Sequence, residues 1–189
     1  MGTVRTAAIR FWRRFFLAMI LGCGVGMTAA AQSPDEYQIK AVFLFNFAQF
    51  VEWPPSAFET PEQPISICIL GKDPFGSYLD ETVRGETVGS RPLAVHRYQR
   101  SEEPGTCHIL FVSGSEVGNI RDIFTRLSGR SILTVSDAEG FAGKGGMIRF
   151  ITRNNRINLR INLEAARAAG LTISSKLLRP AEIVTTRED

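Results

Sequence analysis

Cys107-His108-Ile109-Leu110-Phe111-Val112 is a short, near-continuous apolar run. It reads as a β-strand in a sheet covered on both faces, because a sheet with one wet face would alternate apolar and polar residues. Downstream, Ser115 stands as cap of a helix whose apolar positions Val117, Ile120, Ile123, Phe124 and Leu127 recur at helical spacing. Gly129 closes it and a strand over 131–135 follows. Residues 137–141 form a short turn or helix ahead of Gly143-Lys144-Gly145-Gly146. Segments 147–152 and 156–161 flank Arg153-Asn154-Asn155 and read as a β-hairpin. In its second arm Ile157, Leu159 and Ile161 face one way, while Asn158, Arg160 and Asn162 face the other. Asn162 caps a helix with Leu163, Ala165, Ala166, Ala168 and Ala169. Gly170 breaks it, and a second helix is expected over 174–185, bent or started at Pro180.

Upstream of the central strand, 93–98 alternates as a strand and 84–91 reads as loop. Asp73-Pro74 starts a helix to about Val83, and Ile65–Leu70 is another apolar strand. Ser33-Pro34-Asp35-Glu36 has the form of a capping box, so a long helix runs from there to about Trp53, where Pro54-Pro55 stop it. Gln38, Asn46, Gln49 and Glu52 share one narrow polar stripe. The remaining surface is apolar, which means burial or a face offered to a partner. The element order argues an α/β sandwich: a mixed central β-sheet flanked by helices, with a C-terminal β-hairpin followed by helices.

The chain has 189 residues, 22 Lys and Arg against 19 Asp and Glu. Arg5, Arg10, Arg13 and Arg14 crowd the start, where no acid occurs. Residues 15–27 are apolar but glycine-interrupted, and Thr28-Ala29-Ala30-Ala31 are small. Residues 1–31 therefore read as a secretory signal cleaved near Ala31, the apolar core being short of the roughly 20 residues that span a bilayer. Residues 32–189 then form a single domain, with 18 basic against 19 acidic side chains. That balance argues against a nucleic-acid partner.

Export places Cys68 and Cys107 in an oxidising compartment. Each lies in an expected strand, and neighbouring strands would join them as a disulfide; two buried free thiols are the alternative. Catalytic signals are poor. His96 and His108 lie in strands without a Cys, His or Asp at metal-ligand spacing. Gly71-Lys72-Asp73-Pro74-Phe75-Gly76 lacks the spacing of a phosphate loop. Gly143-Lys144-Gly145-Gly146 is either a backbone nest for an anion or a tight turn. Arg149, Arg153, Arg156 and Arg160 cluster on the hairpin, where they would face solvent, an anionic ligand or acidic residues of a partner. The residues point to no enzyme, no cofactor and no metal site.

Several longer strings accumulate in order. Tyr37-Gln38-Ile39-Lys40-Ala41-Val42-Phe43-Leu44-Phe45-Asn46-Phe47 leads to Phe50-Val51-Glu52-Trp53-Pro54. Ile67-Cys68-Ile69-Leu70-Gly71, Cys107-His108-Ile109-Leu110-Phe111-Val112-Ser113 and Leu133-Thr134-Val135-Ser136-Asp137 follow. Ile161-Asn162 and Ser174-Ser175-Lys176-Leu177-Leu178 close the series. Together they resemble the YfiR family, also described as a domain of unknown function, over residues 37–184. The resemblance implies an exported periplasmic protein that forms homodimers. It implies a repressor that binds the periplasmic sensor domain of an inner-membrane diguanylate cyclase, lowering cyclic-di-GMP and biofilm formation. An OmpA-like outer-membrane lipoprotein would sequester it. Cys68 and Cys107 match the family's disulfide pair, while a second family pair near 140–150 is missing here. Partner contacts are expected at Leu163, Leu171, Ile173 and Leu177, apolar residues beside a helix break. The alternative function is a solute-binding protein that passes a signal to another membrane partner, with Arg149, Phe150 and Arg160 holding an anionic ligand.

Overall fold

The computed structural model describes residues 34–99 and 105–186. The expected leader and the capping serine at 33 lie outside them. Helix α1 (Pro34–Phe50) ends three residues short of Trp53, because Val51–Glu52 leaves the helix as strand β1. Strand β2 (Ile65–Leu70) and helix α2 (Ser77–Val83) come next. Asp73 does not cap α2; its Oδ1 accepts from the Phe75 N–H at 2.7 Å in a local turn, and the helix starts after Gly76. Strands β3 (Thr87–Val88), β4 (Arg91–Tyr98) and β5 (Ile109–Val112) follow.

Ser115 is likewise no helix cap. Gly114–Asn119 is a 3₁₀ segment, and helix α3 (Ile120–Leu127) begins only after it. Strand β6 (Leu133–Ser136) leads to the hairpin β7 (Ile148–Arg153) and β8 (Arg156–Asn162). Asn154 and Asn155 hold φ of 51° and 57°, the left-handed pair that a two-residue hairpin turn requires and asparagine tolerates. Asn162 caps α4 (Leu163–Ala168), its Oδ1 accepting from the Ala165 N–H at 3.0 Å. Strand β9 (Thr172–Ile173) is followed by α5 (Ser175–Leu178), a single turn. The helix expected over 174–185 stops there. Pro180 cannot continue it, and Glu182–Val184 instead forms strand β10.

The larger sheet has the order β10-β8-β7-β6-β5-β2-β4-β3. Strands β4, β2, β5, β6 and β7 are parallel neighbours, while β8 runs antiparallel to β7 and parallel to β10, and β3 runs antiparallel to β4. Strands β1 and β9 pair separately, Val51 opposite Ile173. This is the mixed, helix-flanked sheet expected from the element order.

Each face of the sheet buries its own core. On one face Ile67, Ile69, Ile109, Phe111, Val135, Ile148 and Phe150 meet Ala41, Leu44 and Phe47 of α1 and Leu79 of α2. On the other Cys68, Leu70, Leu110 and Val112 meet Ile120, Ile123 and Leu127 of α3, together with Phe141. That two-sided burial is why β2 and β5 lack an alternating pattern. The second core is tightly closed at its edge. A Cβ added to Gly146 would lie 2.2 Å from two ring carbons of Phe141, which is fully buried. Gly146→Ala is therefore expected to cost about 1–3 kcal/mol through overpacking. Thermal denaturation reads this directly, and an unchanged melting temperature would refute the packing described.

Candidate functional site

In open α/β sheets, ligands bind in the crevice at the carboxyl ends of the strands where the chain reverses direction across the sheet. Here that point lies between β2 and β5, since the chain leaves β2 for β4 on one side and returns to β5 on the other. The crevice is filled by the protein itself. Ser115 Oγ accepts from the Lys72 N–H at 3.0 Å, and a Cβ on Gly71 would fall 2.4 Å from that oxygen. Gly71, with φ of +89°, is what lets the two loops close.

The glycine run after Phe141 is a turn, not an anion nest. The N–H groups of Lys144, Gly145 and Gly146 already donate to Gly140, Ala142 and Phe141 carbonyls at 2.9–3.1 Å. One open cleft runs along α3 by Phe124 and Lys144, and another lies beside Cys107 and Arg130. Neither includes Arg149, Phe150 or Arg160. Strand alternation separates that trio. Arg149 stands directly opposite Arg160 on one face. Phe150 is on the other, its ring centroid 5.8 Å from both Phe43 and Phe47.

Of the expected partner contacts, Leu171, Ile173 and Leu177 are buried in the α1-side core, and Leu163 is half-buried against it. Ile173 is held there by its pairing with Val51. Exposed apolar side chains lie elsewhere: Ile39 and Val42 on α1 are each 48 % exposed, and Tyr78 on α2 and Ile183 on β10 are exposed as well. Ile39 and Val42 widen the polar stripe of Gln38, Asn46 and Gln49 into a mixed outer face.

Opposite that face sits a charged cluster that the sequence reading passed over. Lys40 is 1 % exposed. Its Nζ lies 2.6 Å from Glu36 Oε1 and 2.6 Å from Asp137 Oδ2. Tyr37 donates its hydroxyl to the same Asp137 oxygen at 2.9 Å, and Thr152 donates to Glu36 at 2.8 Å. Glu36, whose expected capping-box partner Ser33 lies outside the described residues, serves this cluster. It ties the first turns of α1 to the end of β6 and to β7. The signal in the sequence was Asp137, an acid directly after a buried strand.

Cys68 and Cys107 are bonded, with Cα atoms 5.9 Å apart, on the α3 side of the sheet. Beside them His108 is buried. Its Nδ1 accepts from the Ser66 N–H at 3.1 Å, so Nε2 carries the proton toward the Ala57 carbonyl at 3.2 Å. The Phe58 ring stacks on it at 4.5 Å, and the Arg91 guanidinium lies 3.7 Å from the Phe58 centroid. Burial pushes the imidazole below its usual range, opposed by the Ala57 hydrogen bond and assisted by Arg91. This histidine is structural and neutral.

A pH dependence follows from it. The unfolded chain takes up a proton near pH 6.5, whereas the folded chain does so only at lower pH. Stability is therefore at its full value above about pH 6.5 and declines as the pH falls from there toward the folded-state value, by at most about 1.4 kcal/mol per pH unit. Urea midpoints at descending pH should show this component, and His108→Asn should remove it. An identical pH profile in that variant would refute the assignment.

A family model described as YfiR/HmsC-like matches residues 37–182. The chain belongs to the YfiR/HmsC-like family. The match spans the chain from the first turn of α1 to β10. Comparison with curated proteins finds no significant match. YfiR-like proteins are periplasmic regulators in the setting of cyclic-di-GMP signalling, not catalysts. In this YfiR/HmsC-like domain no group of three His, Cys, Asp or Glu side chains could hold a metal ion among the described residues. No described helix is long and apolar enough to cross a membrane.

Proposed function

We propose that this protein is exported, loses its leader near Ala31, and works in the periplasm as a homodimeric regulator. It binds the sensor domain of an inner-membrane diguanylate cyclase and lowers cyclic-di-GMP and biofilm formation. An OmpA-like lipoprotein is the proposed sequestering partner. The observation that carries this reading is the family match, which covers essentially the whole folded domain rather than one motif. Residues 32–189 act as one unit in this reading. Ile39, Val42 and the half-buried Leu163 supply apolar contact, while Leu171, Ile173 and Leu177 belong to the core.

The regulator acts by preferring one conformation of the sensor domain, so its effect is bounded by its difference in affinity for the two states. Deleting the gene should raise intracellular cyclic-di-GMP. The exported protein should restore the level and a leaderless copy should not. An unchanged level after deletion would refute the cyclase as target.

A further inference from the structure

The β7–β8 hairpin carries like charges directly opposite one another at two positions. Arg149 pairs in register with Arg160, and Arg153 with Arg156. The turn at Asn154 and Asn155 fixes this register, so the arginines cannot escape each other by a one-residue slip. Like charges directly across a strand pair oppose sheet formation. All four arginines share one face with Ile151 and Asn158, because Phe150 and Thr152 point the other way toward α1. Arg153, Arg156 and Asn158 are exposed. Strand β10 adds one carboxylate, Glu182, whose Oε2 accepts from Arg160 Nε at 2.9 Å. At the tip no acidic side chain pairs with Arg153 or Arg156 among the described residues.

We propose that this arginine face docks an acidic, carboxylate-bearing segment of a protein partner. The inference rests on the regulatory reading above and specifies the chemistry of its partner. The guanidinium is planar and donates in a fork that matches a carboxylate bidentately, and four arginines with no lysine occupy the two hairpin strands. The two arginine pairs are four residues apart, about 13 Å along a strand. A partner carboxylate would meet the exposed tip pair, Arg153 and Arg156, while Arg160 is already held by Glu182.

A lipid surface fits less well. Bilayer-binding surfaces insert apolar side chains, whereas the tip of this hairpin is the polar pair Asn154-Asn155. A small phosphate ligand would need an enclosed pocket, and neither cleft includes these arginines.

The test uses the protein purified after export and a fluorescein-labelled decaglutamate peptide, with decaglutamine as control. Decaglutamate should bind, more weakly as salt rises, and decaglutamine should not. Arg153→Gln with Arg156→Gln should weaken binding by about tenfold or more, as loss of two charge-assisted contacts implies. The melting temperature of that variant should hold or rise, because a repulsive pair is gone. Absence of decaglutamate binding would overturn the proposal. So would undiminished binding by the variant, a large fall in its melting temperature, or stronger binding to phosphatidylglycerol vesicles than to decaglutamate. The cyclic-di-GMP assay separates this inference from the regulatory reading. Full repression by Arg153→Glu with Arg156→Glu would refute the arginine face and leave the regulator intact; no rise on deletion would refute the regulator alone.

Discussion

Lys40→Met should destabilise the protein by about 3–5 kcal/mol, a large part of the 5–15 kcal/mol that holds a typical domain together. Methionine fills nearly the same space, so the loss is one of charge. Glu36 and Asp137, with side chains only 17 % and 14 % exposed, would be left facing each other's charge without the ammonium between them. Tyr37 and Thr152 still donate one hydrogen bond to each, which offsets only part of the desolvation. The ammonium also lies 4.4 Å from the Tyr37 ring centroid, and that attraction disappears as well. Adding Glu36→Gln and Asp137→Asn to Lys40→Met should recover much of the loss, since no charge then remains to be compensated. Urea unfolding followed by circular dichroism measures both. A loss below about 1 kcal/mol for Lys40→Met would show that the carboxylates reach water after all.

The second large effect is expected at the disulfide. Replacing Cys68 and Cys107 together by alanine releases a loop with a sequence separation of 39 residues, which contains α2, β3 and β4. On the chain-entropy model this costs about 4 kcal/mol, because the unfolded chain regains the freedom that the bridge denied it. The native fold supplies its own reason for the pairing: β2 and β5 are parallel neighbours, and Cys107 lies two residues before β5. Both sulfur atoms sit in the α3-side core with Leu110 and Phe141, so two small alanines also leave unfilled space there. Denaturant midpoints with and without a reductant should bracket the double variant. If the reduced protein and the variant unfold at the midpoint of the oxidised protein, the bridge contributes nothing to stability.

Much of the architecture was legible because strong local signals agreed with the global fold. The apolar runs at β2 and β5, the Asn154-Asn155 turn and the Asn162 cap each carry their own chemistry. What was not legible was set by distant partners. Strands β1, β3 and β9 are two residues long and show no period at all. Glu182–Val184 follows a helix turn and reads as its continuation until β8 is there to pair with it.

Lys40 sits in an apolar helix as the kind of residue almost never fully buried without a partner. Its partner, Asp137, is 97 positions away. The grouping of Arg149, Phe150 and Arg160 failed for a simpler reason. Adjacent residues on a strand point to opposite faces, so Arg149 and Phe150 could not have shared a ligand. Leu171, Ile173 and Leu177 are expected as partner contacts only because they are apolar residues beside a helix break. Here the break turns the chain inward, where Ile173 meets Val51.

The polar contacts that hold the first turns of α1 reach the far end of the chain: Tyr37 bonds a residue 100 positions away and Glu36 one 116 positions away. Whenever this polypeptide emerges with its amino end first, α1 and the nearby β2 and α2 are available long before Asp137 and the hairpin. The first turns of α1 must wait for these distant partners, and closing so long a loop is entropically slow. Completion of the domain thus waits for the hairpin, and a chain halted before Ile148 would leave Phe43 and Phe47 without Phe150 and Glu36 without Thr152, an apolar surface of the kind a holding chaperone covers.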